Sequence, residues 1–592
     1  MNYKDRLLKL KFFIKENDLD CFIVPHSDEY QCEFLAPYAE RLAWLTGFTG
    51  SAGLAFIFTN KAYLFVDGRY TLQSKKEIDT NYYTVKDLNS AYEWIVNKAV
   101  AGMKIGYDPR LHVSDVIKKL NNNLSAKNAE LVKVYHNPID QIWKDKPSRP
   151  SQKVRIHPIE FSGLCHKNKI KDLITSFNKY NFDSYFISSP DSLCWLFNLR
   201  GNDTPFTPLL LSQAIIMSDM RSIIFIDKER ITDNIYKHLG DDVEIVSIKD
   251  FNKKIKSISE KYKSIGVDRN TISDWTHDQL KSAGFEVKQS YDLCSMPKSC
   301  KNVIEQKGMR SAHIRDGIAL VNFLFWLDKE VDPNSITELD VCNKLDYLRG
   351  QNEYYMGPSF STIAAYGSNG AIVHYNPSDL SNSIIGSNSL LLVDSGGQYL
   401  DGTTDVTRTI AMGIPTAEQK NRFTQVLKGH IALATTKFPY GTKGGQLDVL
   451  ARSALWFDGL DYEHGTGHGV GSYLGVHQGP QRIGKGTLGA QLNPGMVISN
   501  EPGFYKANEY GIRIENLVLV KPFLSNSKNN MLQFDTITLA PIDKNLIKTS
   551  SLNSFEIDWL NNYHNLIYKL LKDKLNLPQR DWLHKVTGKI KS

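Results

Sequence analysis

Short apolar runs ending in aspartate recur along the first half of the chain. Leu64-Phe65-Val66-Asp67 is followed by Ile105-Gly106-Tyr107-Asp108, and Ile224-Phe225-Ile226-Asp227 by Ile265-Gly266-Val267-Asp268. In both pairs the aspartates stand 41 residues apart. Upstream, Asp20-Cys21-Phe22-Ile23-Val24 matches Asp183-Ser184-Tyr185-Phe186-Ile187, and Trp44-Leu45 matches Trp195-Leu196. Such runs read as buried strands, and the spacing between them is helical. Two α/β domains of one fold are the simplest account, and the period is too long for a solenoid. Trp143 to Ser151 is polar with two prolines and reads as a connector; helical periodicity resumes near Lys167. Beyond about Asn302 the pattern changes. Residues 303–328 and 337–350 read as helices, and strand patterns with frequent glycines run from Ser389 to Leu519. In the C-terminal tail Phe555, Trp559, Tyr563, Leu566, Ile567, Leu570 and Leu571 form a helical stripe suited to packing or an oligomer contact. The expected division is 1–145, 160–300 and 303–592.

Composition narrows the class. The 592 residues carry 71 basic and 64 acidic side chains, a net +7, with 41% apolar residues and 40 glycines, which is ordinary for a globular protein. So mild a charge gives no reason to expect nucleic acid, which needs a clustered basic face. The seven cysteines are odd in number and none forms a CxxC pair. That argues against a disulfide framework or a thiolate zinc site and for a reducing compartment. No apolar run approaches the ~18 residues of a membrane helix. Charges interrupt the N-terminal MNYKDRLLKLKFFIKENDLD every few residues, so it reads as a surface helix and not a signal peptide. A soluble, cytoplasmic protein without membrane contact is expected.

The third region carries the chemistry. Ser389 to Val393 reads as a strand ending at Asp394, and Thr404 to Ile410 as a second strand containing Asp405. A glycine-containing loop between them allows the two to pair, which places both aspartates together. On the second strand Asp405, Thr407 and Thr409 share a face by period two. Two carboxylates in one site repel and raise each other's pKa; a divalent cation removes that penalty. Next comes Glu463-His464-Gly465-Thr466-Gly467-His468-Gly469-Val470-Gly471. Its four glycines, each costing about 1 kcal/mol in a helix, favour a loop or bent strand over a helical metal face. His477 follows, and Glu501 ends the run Met496-Val497-Ile498-Ser499-Asn500 before a Pro-Gly turn. In Gly511-Ile512-Arg513-Ile514-Glu515-Asn516-Leu517, alternation puts Arg513, Glu515 and Leu517 on one face, where the charges need partners if buried. Taken singly, each residue has an ordinary structural role. Together they supply four carboxylates and at least one histidine. Such a set suits hard or borderline metals such as manganese, and two cations balance four carboxylates better than one.

Region 303–520 resembles the creatinase-like, pita-bread metallopeptidases, a group that includes methionine aminopeptidase, prolidase and aminopeptidase P. The resemblance lies in Leu392 to Gly396, Thr404 to Thr409, His464 to Gly471, Glu501 to Tyr505 and Gly511 to Asn516. The whole chain is similar to the three-domain cytosolic Xaa-Pro aminopeptidases, whose two related N-terminal domains fit the repeat. Phe48 to Gly53 and Asp67 to Tyr70 resemble their first-domain motifs. The resemblance implies an α/β chain with two creatinase-like domains before a pita-bread catalytic domain. It implies two Mn2+ ions per subunit, with Asp405 and Glu515 bridging, Asp394 on one ion, and His468 and Glu501 on the other. It further implies a hydroxide shared by the two ions that attacks the bond before a proline in second position. Glu501 would relay the proton, and His374 and His477 would donate to the substrate carbonyl. His464 would be a further pocket histidine, and Arg513 would orient Glu515. Arg69 would reach the substrate from the first domain; the second repeat has Asp227-Lys228-Glu229 where the first has Asp67-Gly68-Arg69. Tyr505 is a candidate wall for the proline ring. Gln478 stands where many relatives carry Glu, which bears on substrate preference. Relatives of this size are often homodimers. The competing readings are a prolidase-like dipeptidase, a non-catalytic peptide-binding relative and a nucleic-acid binder.

Overall fold

The computed structural model describes residues 1–332, 334–379, 381–486, 489–524 and 530–591. Its contacts divide the chain into two compact units. One is Met1–Ile159 with Leu164–Ser295, the other Glu160–Gly163 with Met296–Ser592.

The first unit contains the repeat as two six-stranded sheets. In spatial order the first sheet runs Tyr83–Asp87, Ala62–Val66, Gly53–Phe58, Cys21–Pro25, Lys104–Tyr107 and Glu130–Lys133. The second runs Val243–Val246, Ser222–Phe225, Gln213–Met217, Ser184–Ile187, Ser264–Asp268 and Glu286–Ser290. Pairing directions agree strand for strand: three antiparallel-linked strands, flanked by parallel partners on each side. The 41-residue spacing is thus the distance from the end of one sheet strand to the end of its second neighbour's parallel partner. Asp108 and Asp268 have the same local task. Each carboxylate accepts from a backbone N–H two residues on, Arg110 and Asn270 respectively, closing the turn after its strand.

The N-terminal segment is a helix, Tyr3–Glu16, that buries Leu7, Leu10 and Ile14. The connector holds no regular element between Ile142 and Arg155, as its prolines predict. Trp143, however, belongs to the preceding core: it is buried and stacks on Trp44 at 5.2 Å between ring centres. The two repeats meet through Tyr107, whose hydroxyl donates to Asp274 at 2.7 Å.

The second unit opens with the helix Val303–Lys329, started by a reciprocal cap between Asn302 and Glu305, and continues with the helix Glu338–Gly350. Strands and helices then alternate. A three-stranded sheet is centred on Asn388–Ser395, between Ile363–Tyr366 and Val406–Gly413. A four-stranded sheet runs Lys437–Pro439, Met531–Thr536, Asn516–Phe523, Val497–Asn500. The helices Ala417–Ala434 and Ser554–Leu571 pack a common core in which Phe423, Leu427, Ile512, Ile514, Leu560 and Ile567 meet.

The tail stripe is divided. Tyr563, Ile567 and Leu571 enter that core with Ile557 and Leu560, whereas Phe555, Leu566 and Leu570 are exposed. The buried face lies about one position from the stripe read in sequence, because the aromatic residues extended the apparent stripe past the contact. Among the described residues no helix is long and apolar enough to cross a membrane.

Two histidines of this core are held neutral. His564 Nε2 accepts from the Ile542 backbone N–H at 3.1 Å, and His430 Nε2 lies 3.1 Å from the Asn516 amide nitrogen. Burial pushes both down to about 3. The unfolded chain, with histidine near 6.5, binds more protons between those values. Their stabilisation is therefore full above about pH 6.5 and is lost as pH falls toward 3. Between pH 7.5 and 5 each should withdraw about 2 kcal/mol. His564→Gln keeps an acceptor without titrating. The urea midpoint of this unit, measured at both pH values, should fall less in the variant than in wild type; equal falls would contradict the account.

Candidate metal centre

Asp394 and Asp405 are brought together by the pairing of Asn388–Ser395 with Val406–Gly413, in which Asp394 lies opposite Thr407. Asp405 itself stands just before the second strand, not within it as the pattern suggested. The reason is Thr404, which exchanges hydrogen bonds of 2.9 Å with Gly397 and so ties the preceding residues to a separate small hairpin. That turn is tight. A Cβ on Gly396 would sit 2.0 Å from the Thr404 carbonyl oxygen, so the close approach requires glycine. The period-two face holds: Thr407 donates to Glu515 Oε2 at 2.7 Å and Thr409 to the Arg513 carbonyl at 2.9 Å.

The glycine-rich segment is a loop with a two-residue strand, Gly467–His468. Glycine is again required, since a Cβ on Gly467 would sit 2.0 Å from the Ser499 carbonyl oxygen. The contact sets His468 beside the end of Val497–Asn500. Ser499 Oγ accepts from the His468 backbone N–H and donates to Glu501 Oε1, both at 2.9 Å. His468 Nδ1 lies 3.1 Å from the Gly469 carbonyl and must donate there. Nε2 then presents its lone pair, 3.3 Å from Glu501 and 3.5 Å from Asp405.

The segment around Arg513 is two strands, not one. Tyr510–Arg513 pairs with Gly503–Lys506, and Asn516–Phe523 with Val497–Asn500. Ile514 and Glu515 lie in the break where the partner changes. Leu517 therefore turns into a core with Met309, Val470 and Val497 and does not share the site face. Arg513 also departs from expectation. Its guanidinium donates to Asp394 Oδ2 at 2.6 Å, Thr407 Oγ1 at 3.2 Å and the Tyr505 hydroxyl at 2.6 Å. It orients Asp394, and Glu515 is held by Thr407 instead. Among the described residues Arg513 makes no direct hydrogen bond to Glu515; it acts on that carboxylate through Thr407 and through its charge, which opposes the rise in the Glu515 pKa.

Asp405, His468 and Glu515 present donor atoms within 4.8 Å of one another, and Glu501 adjoins His468. Burial, followed by repulsion from Glu515, Asp394 and Glu501, raises Asp405 well above the carboxylate range. Burial and then Glu501 and Asp394 do the same to Glu515. Glu501 is pushed up to about 7, chiefly by burial, with Arg513 opposing. Asp394 Oδ1 and Glu515 Oε1 are buried without a hydrogen-bond partner. Such oxygens are costly unless something positive meets them. Four carboxylates, two of them with an unpartnered oxygen, and one imidazole lone pair fit divalent cations.

The remaining candidates lie at different distances from this cluster. His464 Nε2 is 2.8 Å from the Tyr505 hydroxyl, so His464, Tyr505, Arg513 and Asp394 form one chain. The His477 ring stands edge-on to His468 at 4.4 Å. His374 follows the turn Gly367–Ala371 and is half-buried. Arg69 lies in the other unit, where Asp67 holds its guanidinium at 2.7 Å. The sequence reading gave no role to Ser499, although period two from Glu501 points to it. It also passed over Asp448 and Arg452, a buried pair four apart on a helix. Arg452 donates to the Tyr462 and His464 carbonyls at 2.6 and 2.8 Å, and Asp448 accepts from Thr466, so the pair braces the loop that carries His468.

Comparison with known proteins places these parts. The profile of metallopeptidase family M24 matches residues 307–522, and that of the C-terminal region of peptidase M24 matches 530–590. Creatinase/prolidase N-terminal domain profiles match 6–142 and 145–305. The chain is 39% identical over 610 residues to the "Probable Xaa-Pro aminopeptidase P" of Aspergillus fumigatus, and 40% over 617 residues to that of Talaromyces stipitatus. Each alignment covers 100% of this chain and 93% of the relative. The crystal structure of an X-prolyl aminopeptidase from Caenorhabditis elegans, described as a cytosolic enzyme with a di-nuclear active site, superposes with a TM-score of 0.94. It shares 33% identity over 100% of both chains. The Xaa-Pro dipeptidase of Bacillus anthracis, at 23% identity and a TM-score of 0.53 over 64% of this chain and 98% of its own, shares the fold alone.

A cluster in which burial raises Asp405 and Glu515 well above the carboxylate range and Glu501 to about 7 holds protons that a cation must displace. Chelator-stripped protein titrated with Mn2+ at pH 6.5 should release protons, and its affinity should rise with pH through about 7. Calorimetry in buffers of different ionisation enthalpy reads the number released. No release at pH 6.5 would rule out the cluster as the binding site.

Proposed function

The chain belongs to metallopeptidase family M24 and is a metal-dependent aminopeptidase; from that premise we propose that it removes the N-terminal residue from peptides with proline in second position. The observation that carries the reading is the donor set of buried Asp394, Asp405 and Glu515 with partly buried His468 and Glu501, two carboxylate oxygens being left unpartnered. These residues would hold two divalent cations, and the oxygen-rich set favours manganese. Bound there, the cations would lower the pKa of a water and polarise the scissile carbonyl.

The chain's own groups supply the rest. Arg513 and Thr407 orient Asp394 and Glu515. Ser499 aligns Glu501 with His468. Glu501, moved toward neutrality by burial, is suited to take a proton from the attacking water and return it to the leaving proline nitrogen. His374 and His477 are assigned to the substrate carbonyl, His464 to the pocket wall with Tyr505, and Arg69 to substrate contact. A peptide bond to proline has no N–H to donate, so recognition must rest on the ring and the carbonyl groups. Three domains, 1–145, 160–300 and 303–592, are proposed, supported by the two matching sheets. A cytoplasmic location and a homodimer complete the reading. The location is supported by the free thiols and the description of the C. elegans enzyme, the dimer by the exposed Phe555, Leu566 and Leu570.

Protein stripped with chelator and resupplied with Mn2+ should release arginine from Arg-Pro-Pro but not from Arg-Ala-Ala. Asp405→Asn should lower kcat/KM by more than about 100-fold, beyond the range of changes outside the ligand shell. Preference for the dipeptide Arg-Pro would move the reading to a prolidase. Two bound metals with no cleavage would leave a peptide-binding protein.

A further inference from the structure

Arg408 follows Thr407 on the strand that leads from Asp405, and alternation turns it away from the metal cluster. Its guanidinium is buried in the second unit, and its N–H groups are all used. Nε donates to the Pro541 carbonyl at 3.0 Å. Nη1 donates to the Thr407 and Glu515 carbonyls at 2.8 and 2.7 Å. Nη2 reaches Asn516 Oδ1 at 2.8 Å, the Ala540 carbonyl at 2.7 Å and the Tyr563 hydroxyl at 2.9 Å. Among the described residues no carboxylate is in this set. A buried cation with no carboxylate hydrogen-bonded to it is disfavoured; burial lowers its pKa, with Tyr563 and the charge of Glu515 opposing. For stability alone an apolar side chain of similar volume is often as good.

What the cation holds is the peptide of Glu515. That residue lies in the break between two strands, where no ladder fixes it. Its N–H donates to the Thr407 carbonyl at 3.2 Å, its carbonyl accepts from Arg408, and its carboxylate accepts from Thr407. Three of the acceptors that keep Arg408 in place, Pro541, Ala540 and Tyr563, come from the C-terminal region. Tyr563, on the helix Ser554–Leu571, lies 3.1 Å from Asn516 Oδ1 and 3.0 Å from the Ala540 carbonyl. Asn516 in turn meets His430, whose carbonyl accepts from Asn500 beside Glu501. One buried polar network thus joins the C-terminal helix to the ends of the strands bearing Glu515 and Glu501.

We propose that Arg408, locked by Tyr563, is a positioning residue for the metal centre, and that the C-terminal helix is part of the support that sets Glu515 against Asp405. The inference rests on the reading of Glu515 as a metal ligand. Arg408→Lys cannot reproduce the fork and should weaken binding of the second Mn2+ equivalent about 10- to 100-fold. Tyr563→Phe, which removes one hydroxyl and is the gentler change, should weaken it about two- to tenfold. The electron paramagnetic resonance spectrum at two equivalents should change from an exchange-coupled pair to isolated ions in proportion. Leu560→Ala opens a cavity one turn before Tyr563 on the same helix without removing any hydrogen bond of the network. It should lower the melting temperature and leave Mn2+ affinity and the coupled spectrum as in wild type. If Arg408→Lys does not fold, Tyr563→Phe carries the test. Wild type with two coupled ions, and folded variants with unchanged affinity and spectrum, would overturn the inference alone. A Leu560→Ala loss of affinity equal to that of Tyr563→Phe would also overturn it. Wild type binding fewer than two ions would overturn the ligand assignment of Glu515, and this inference with it.

Discussion

Four carboxylates in one buried place repel one another, and the second unit is built around containing that repulsion. Asp405 and Glu515 bear it most, raised by burial and by their neighbours. The fold does not neutralise them with four cations. It places one arginine, Arg513, directly on Asp394, and a second, Arg408, behind the backbone of Glu515. Uncharged donors, Thr407 and Ser499, take one oxygen each of Glu515 and Glu501. The cluster is left short of positive charge, with open oxygens facing inward. That deficit gives it affinity for a divalent cation, since a fully paired set would have nothing left to offer.

Containment is geometric as much as electrostatic. Four of the five candidate ligands come from places where regular pairing stops, while Asp394 is paired on both sides within Asn388–Ser395. Asp405 precedes its strand, Glu501 follows one, Glu515 fills a break, and His468 lies in a two-residue strand. A residue inside a long ladder has its backbone fixed but its direction dictated by the pleat. At a break the side chain can be aimed, provided something else holds the backbone. Ser499, Thr407, Arg408 and the Asp448–Arg452 pair do that holding, all from outside the ligand set. Close backbone approaches at Gly396 and Gly467 bring the pieces within reach.

These breaks also explain what was legible in the sequence. The candidate ligands stood out as polar residues set among apolar runs and breakers, with Glu501 before Pro502 and His468 between two glycines. The two N-terminal sheets were readable because their strands are buried and keep their spacing. The tail stripe was only partly readable: hydropathy marks Phe555, Leu566 and Leu570 as core, yet no neighbour covers them. Alternation failed across Arg513 to Leu517. It assumes one strand with one partner, and the partner changes at Ile514. The same assumption gave no sign of the hydrogen bond from Arg513 to Asp394. A guanidinium reaches side chains on other elements, so its partner is set by sheet packing, which local pattern does not record.

The two N-terminal sheets show the opposite case, a scaffold kept while a loop diverges. Strand order and direction agree throughout, and Asp108 and Asp268 close equivalent turns. At the other aspartate the copies part. Asp67 accepts from the Arg69 backbone N–H at 3.0 Å and also grips its guanidinium. Asp227 caps nothing, and the nearby Arg230 is buried against Asp203. The fold tolerates this because sheet stability comes from the buried strand faces, not from the turn that follows them. In the first copy the aspartate presents a half-exposed arginine; in the second the arginine is committed to the interior. A surface guanidinium preorganised by its own carboxylate neighbour can recognise an anion or carbonyl group. A buried, paired one contributes only structure. The asymmetry leaves a half-exposed guanidinium at this position only in the first copy.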